Sequence, residues 1–182
     1  MLVVGIAGSL RRGSYNRMLL QAAGRRVPPS FTFQVLDGVE DVPPYDAELD
    51  TGAPPPAVRR LRDTIAVADA VVIATPEYNA SAPGWLKNAL DWASRPFPDN
   101  CLRRKPVAVV GASTGVFGAV WAQAELRRVL TAIGADVVDA QLNVPTAHEA
   151  FTAGGAIRDP ALDAGLQAVV DELLGRVAER AA

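Results

Sequence analysis

The chain has 182 residues, 49% hydrophobic and 21% charged, with 18 basic and 20 acidic side chains for a net charge of −2. That length fits one domain, at roughly 100–200 residues each, and a near-neutral balance argues against a nucleic-acid binder, which carries a clear basic excess. No apolar run approaches the ~20 residues of a membrane helix, and the lone Cys101 excludes an internal disulfide or a cysteine metal cluster. The first apolar stretch, Leu2–Ala7, is too short for a signal-peptide core. The expectation is a cytoplasmic protein, one domain over residues 1–182, with neither nucleic acid nor membrane among its partners. Charge is unevenly spread. Residues 1–30 hold five arginines and no acid, and residues 37–50 hold six acids and no base. Such runs are ordinarily solvated faces; the alternative is that the early arginines meet an anion.

Leu2–Ala7 is continuously apolar and predicts a buried strand. Tyr15–Val27 predicts a helix stopped by Pro28-Pro29, and Phe31–Leu36 a second strand. Residues 37–56, rich in Pro, Asp and Gly, predict a loop of a length often kept for function. Pro56–Ala68 predicts a helix with Val58, Leu61, Ile65 and Ala68 on one face, and Ala70–Ala74 a third strand. Pro83–Ala93 predicts a helix with proline in its first turn, where the missing N–H is harmless. After a loop at 95–105 come a strand at Val107–Gly111, a helix at Gly118–Ile133 closed by Gly134, a fifth strand at Asp136–Leu142, and a last helix at Pro160–Ala178 that Asp159 caps. Five near-continuously apolar strands alternating with helices predict an α/β fold, a parallel sheet covered on both faces. The count fits a flavodoxin-like three-layer sandwich of strand order 2-1-3-4-5, with the ligand outside the carboxyl ends of the strands beside strand 1.

The loops after strands 1, 3 and 4 therefore carry the argument. Gly8-Ser9-Leu10-Arg11-Arg12-Gly13-Ser14-Tyr15-Asn16 has the glycine spacing of a nucleoside-triphosphate loop, but Ser14 stands where that loop needs lysine, and the dinucleotide fingerprint is absent. A monophosphate cradle fits better. Ser9 and Ser14 hydroxyls, the Asn16 amide, backbone N–H groups and the positive end of the next helix would face one phosphate, and Arg11 would add a forked charged contact. The plainer reading is that Ser14 caps the helix and Asn16 shapes the turn. After strand 3, Thr75-Pro76-Glu77-Tyr78-Asn79-Ala80-Ser81-Ala82-Pro83-Gly84 offers backbone groups and one aromatic ring to a flat heteroaromatic edge. Glu77 is an odd neighbour for an anion site; the alternative is a solvated or ion-paired acid. Trp85 and Trp92, seven apart, share a helix face and suit core or subunit packing. After strand 4, Gly111-Ala112-Ser113-Thr114-Gly115-Val116-Phe117-Gly118 permits close backbone approach, and Ser113 and Thr114 add donors. His148 is the only histidine, which leaves Ser-His-Asp triads and histidine-rich metal sites poorly supported.

Residues 8–16, 76–92 and 111–127, in this order and spacing, make the sequence similar to the NADPH-dependent FMN reductase family, with its quinone, chromate and azo-dye reductase members. The resemblance implies that Ser9, Arg11, Ser14, Tyr15 and Asn16 hold the FMN phosphate end. It places Pro76, Glu77, Tyr78 and Asn79 at the border of the isoalloxazine ring, with Ser113, Thr114 and Gly115 along its other side. It implies an oxidoreductase passing a hydride from NADPH, or NADH, to flavin N5 and on to a small-molecule acceptor such as a quinone, azo dye, metal oxyanion or free flavin. No side chain is required as a nucleophile, and no metal. The rivals are an electron carrier of the flavodoxin type and a relative that binds no flavin. The resemblance further implies a homodimer, in some members a tetramer, with the helix after Pro83 and the loop Val42–Asp46 near the partner. Trp121 stands where the family often has arginine, and Asn143-Val144-Pro145-Thr146 lacks the two charges common there.

Overall fold

The computed structural model describes residues 1–181. Strands β1 (Leu2–Ala7), β2 (Thr32–Val35), β3 (Ala70–Thr75) and β4 (Pro106–Ala112) pair in parallel in the order β2-β1-β3-β4, and the outer edge beyond β4 is shared by β5 (Asp136–Val137) and β6 (Leu142–Val144). This is the expected 2-1-3-4-5 order. β1, β3 and β4 are apolar along their length because helices cover both faces, so neither side of the pleat meets water. Helices α1 (Tyr15–Gly24) and α6 (Pro160–Ala181) help bury one face, with Val3, Leu19, Leu20, Val72, Val110, Leu166 and Leu173 in its layer. On the other face α2 (Pro56–Val67), α3 (Gly84–Ala93) and α4 (Val120–Ile133) enclose Val4, Ile6, Leu61, Ile65, Ile73, Leu86, Val109 and Leu126. A short helix, α5 (Ala147–Ala150), follows β6; the sequence pattern does not predict it.

The fifth strand departs from expectation. Val137 pairs Val107 and Leu142 pairs Val110, so three residue steps along β4 are met by five on the outer strand. The two extra residues bulge out of the ladder near Asp139-Ala140-Gln141. Neighbouring helices supply the lost partners. Arg127 on α4 donates to the Val138 carbonyl at 2.6 Å, and Glu172 on α6 accepts from the N–H groups of Asp139 and Ala140 at 2.8 and 2.7 Å. Burial pushes the Glu172 carboxyl up, but those two N–H bonds and Arg176 outweigh it and hold it below the usual range.

The long loop 37–56 is irregular but tied down. Asn88 on α3 accepts from the Tyr45 N–H at 2.7 Å and donates to the Pro43 carbonyl at 2.9 Å, and the Trp92 indole N–H donates to the same carbonyl at 2.8 Å. Trp92 is 0% exposed, edge-on to Tyr45 and beneath the Arg62 guanidinium, so it is a core residue. Half of the acidic run is paired: Asp37 with Arg17, Asp41 with Arg60, and Asp50 with both Arg62 and Arg95.

Candidate active site

The carboxyl ends of β1, β3 and β4 open into a cavity of about 150 Å³. Ten of the twelve site residues expected from sequence line it: Ser9, Arg11, Ser14, Tyr15, Asn16, Pro76, Glu77, Tyr78, Ser113 and Thr114, with Ala112 in addition. Asn79 and Gly115 lie outside its lining. Asn79 sits at the tip of a tight turn in which Tyr78 and Ser81 exchange backbone bonds, with Asn79 at φ 53° and Ala80 at φ 60°. Gly115 is exposed, its N–H held by the Ser113 hydroxyl at 3.2 Å.

The first loop passes close over β3. The Gly8 N–H donates to the Ala74 carbonyl at 2.7 Å, and a Cβ on Gly8 would lie 2.9 Å from that oxygen and from Pro76 Cδ. Only glycine allows this approach. Ser14 is the N-cap of α1, its hydroxyl accepting from the Arg17 N–H at 3.2 Å. Asn16 reaches across to β4: its Nδ2 donates to the Ala112 carbonyl and its Oδ1 accepts from the Ala112 N–H, both at 2.9 Å. The amide side chain thus clamps α1 to the end of β4. The plainer reading of Ser14 as a helix cap describes what its hydroxyl does; the reading of Asn16 as shaping the turn does not hold, because its amide bonds to β4 and not within the loop. What remains free is different. The N–H groups of Tyr15 and Asn16, in the unpaired first turn, and the nearly buried Ser9 hydroxyl have no protein partner among the described residues.

Arg11 stacks its guanidinium 5.0 Å from the centre of the Tyr15 ring, and Tyr15 in turn lies parallel to Phe151 at 6.3 Å. The early arginines divide. Arg17 pairs with Asp37, Arg26 with Asp163, and Arg25 donates to the Gly155 carbonyl. Arg11 and Arg12 have no ion-pair partner among the described residues, and of the two only Arg11 lines the cavity.

Glu77 is explained by α4. That helix starts at Ala119, which has no side-chain oxygen to cap it, and the Glu77 carboxylate accepts instead from the N–H groups of Trp121 at 2.9 Å and Ala122 at 3.2 Å. A negative group is favourable at this positive helix end. Glu125 makes the reverse tie, accepting from the Ser81 hydroxyl at 2.6 Å and the Ala82 N–H at 3.0 Å. Those bonds, the hydroxyl's first, hold its carboxyl below the ordinary value. Neither role is visible in sequence. The one signal is negative, a helix start without a capping residue of its own.

A wider cleft of about 440 Å³ lies at the amino ends of β1, β3 and β4, lined by Met1, Val67, Asp69, Lys105 and Arg180 among others. The Lys105 ammonium there is turned to the Ala66 and Ala68 carbonyls at the end of α2, and no residue of the three motifs reaches it. Burial of Cys101 pushes its thiol up to about 11, which removes it as a nucleophile at neutral pH.

The model of the NADPH-dependent FMN reductase family matches residues 1–149. An NAD(P)H-dependent FMN reductase of Pseudomonas aeruginosa is 44% identical over 158 residues, 86% of this chain and 84% of that one. A quinone reductase of Escherichia coli is 44% identical over 138 residues, 75% and 73% of the two chains. Among solved structures, FerB, a flavoenzyme NAD(P)H:(acceptor) oxidoreductase from Paracoccus denitrificans, superposes with a TM-score of 0.85 at 36% identity, covering 98% of this chain and 97% of that one. With this sheet order, this cavity and these relatives, the chain belongs to the NADPH-dependent FMN reductase family and is an oxidoreductase of FMN and NAD(P)H.

Proposed function

We propose that the cavity receives the phosphate and ribityl end of FMN, and that the isoalloxazine ring lies across its mouth between Pro76–Asn79 and Ser113–Gly115. The observation that carries this reading is the donor set at the α1 end. The Ser9 hydroxyl, the free N–H groups of Tyr15 and Asn16, and the Arg11 guanidinium border one cavity. The only carboxylate in its lining, Glu77, is already bound to the start of α4. Such a set suits a phosphate dianion. Ser14 and Asn16 act on it indirectly, by fixing the helix start and its distance from β4. The small cavity cannot enclose a tricyclic ring, so one ring face stays open to a second reactant.

FMN, when bound, supplies the hydride chemistry, accepting from the nicotinamide and giving to the acceptor. The net reaction takes NAD(P)H, one proton and a quinone to NAD(P)⁺ and a hydroquinone. The chain's own contribution is to position the reactants: stacking at about 3–3.5 Å over the open ring face brings the reacting atoms together. A quinone is the favoured acceptor because a relative 44% identical to this chain is a quinone reductase. The proposal includes one FMN-binding domain, action in the cytoplasm where pyridine nucleotides are supplied, and a homodimer through the outer face of α3, where Trp85 is only partly buried. Trp92 is excluded from that contact by its burial.

The test is a visible spectrum of purified protein after FMN addition and desalting, followed anaerobically by NADPH and then a quinone. A retained yellow colour that NADPH bleaches and the quinone restores is the expected result. Colour that NADPH cannot bleach would make the chain a carrier; no retained colour and no NADPH oxidation would make it a flavin-free relative. Arg11→Ala should weaken FMN binding at least tenfold, roughly the loss of one charge-assisted contact, with an unchanged circular dichroism spectrum. A solution mass of 19.2 kDa would overturn the dimer.

A further inference from the structure

We propose that Phe117 and Trp121 form the seat for a flat, uncharged acceptor and so select aromatic quinones over metal oxyanions; the inference rests on the FMN reading above. Both residues belong to the segment that leads from the cavity wall at Ser113 and Thr114 into α4. The backbone N–H of Trp121 is bound to Glu77, itself part of the wall. The pair therefore stands at the mouth, where the open face of the ring is placed.

Three observations give the pair its role. It is exposed, Phe117 by 60% and Trp121 by 48%, and the neighbouring Val116 and Tyr78 are exposed by 71% and 52%. Contiguous exposed apolar surface is a feature of binding sites. The pair is also rigid. The two rings meet edge to face at 4.9 Å and 67°. Gly118 beside them, at φ +60°, lies so close to the Asn143–Val144 backbone that a Cβ would stand 2.8 Å from it. The segment is fastened beneath by bonds from Thr146 N–H to the Gly115 carbonyl and from Ala147 N–H to the Ser113 carbonyl. A fixed aromatic surface binds a planar ring with little ordering cost. Finally, residues 111–123 contain no charged side chain. The wall offers dispersion and a ring quadrupole and no positive charge for an oxyanion.

The experiment compares kcat/KM for 1,4-naphthoquinone, ferricyanide and chromate in the FMN-loaded protein and in Phe117→Ala, Trp121→Ala, Trp121→Phe and Trp121→Arg. In an alternating cycle, kcat/KM for the acceptor is independent of the NADPH half-reaction. The naphthoquinone-to-ferricyanide ratio is expected to fall about tenfold in both alanine variants and to recover in Trp121→Phe. Trp121→Arg should raise the chromate-to-naphthoquinone ratio. The proposal is overturned if the ratios stay within twofold of wild type, or if the acceptors lose rate in parallel. It is also overturned if sedimentation shows the alanine variants dissociating while the ratio holds, since a second copy of the chain is then the occupant. Wild-type protein that retains no FMN and oxidises no NADPH removes the reading beneath the proposal, and the proposal with it.

Discussion

The Asn16 amide commits both of its polar atoms to Ala112, 96 residues away, and this one side chain sets where the α1 start stands relative to the end of β4. Asn16→Ala would leave a buried N–H and a buried carbonyl without partners. Each such group costs about 1–3 kcal/mol, so a loss of about 2–6 kcal/mol is expected in urea unfolding, with weaker FMN retention as the helix start shifts. That the first-loop residues border one cavity followed from their place after β1 in the sequence. Which atoms stay free did not, because the answer depends on Ala112, and no local pattern joins positions 16 and 112. The Ser14 cap, by contrast, is a contact three residues long that the sequence did offer.

At the level of elements, α4 has a start of unusual construction. Ala119 cannot cap it, and Glu77 from the β3 loop does so across 44 residues. Glu77→Ala should lower stability by about 1 kcal/mol, the usual value of a lost cap, while Glu77→Gln, which keeps an acceptor oxygen, should lose less; thermal unfolding separates them. Glu125 gives the opposite tie a pH dependence. Its folded carboxyl lies below the ordinary value, so its contribution is fully present above the unfolded pKa of about 4.3. That contribution is lost as pH falls through the lowered folded value. Glu125→Gln should therefore flatten the acid limb of stability, read as urea midpoints at pH 7, 5 and 3. Strand and helix identities followed from apolar runs because each central strand is buried on both sides. The bulge between Val137 and Leu142 did not, since Asp139-Ala140-Gln141 is tolerated only because Arg127 and Glu172 satisfy its backbone.

Over the whole molecule, two apolar layers flank one sheet, and the irregular 37–56 segment is drawn onto the α2–α3 layer. Trp92 is the centre of that attachment, meeting Tyr45, Arg62 and the Pro43 carbonyl together. Trp92→Ala is expected to cost about 3–5 kcal/mol, and Trp92→Phe, which keeps an aromatic ring but loses the indole N–H, about 1 kcal/mol; chemical denaturation measures both. The sheet order and the position of the site were readable because alternating strands and helices leave few topologies. The attachment of the long loop was not readable: its composition is that of a free surface segment, and its anchors lie on a helix some 45 residues further along. Part of the charge asymmetry of the sequence likewise resolves into ion pairs that only the fold brings together, Arg17 with Asp37 and Arg26 with Asp163 among them.

Glu77 and Glu125 together have a kinetic consequence. One carboxylate runs from the β3 loop to α4, and the other runs back from α4 to the β3 loop, so the two sides of the cavity mouth are cross-braced. Bracing of this kind opposes gating by an outward swing of either side. On the proposed reading, reactants meeting over the flavin would use an opening that is already there, and the pace of their exchange would be set by the contacts each one breaks with the site.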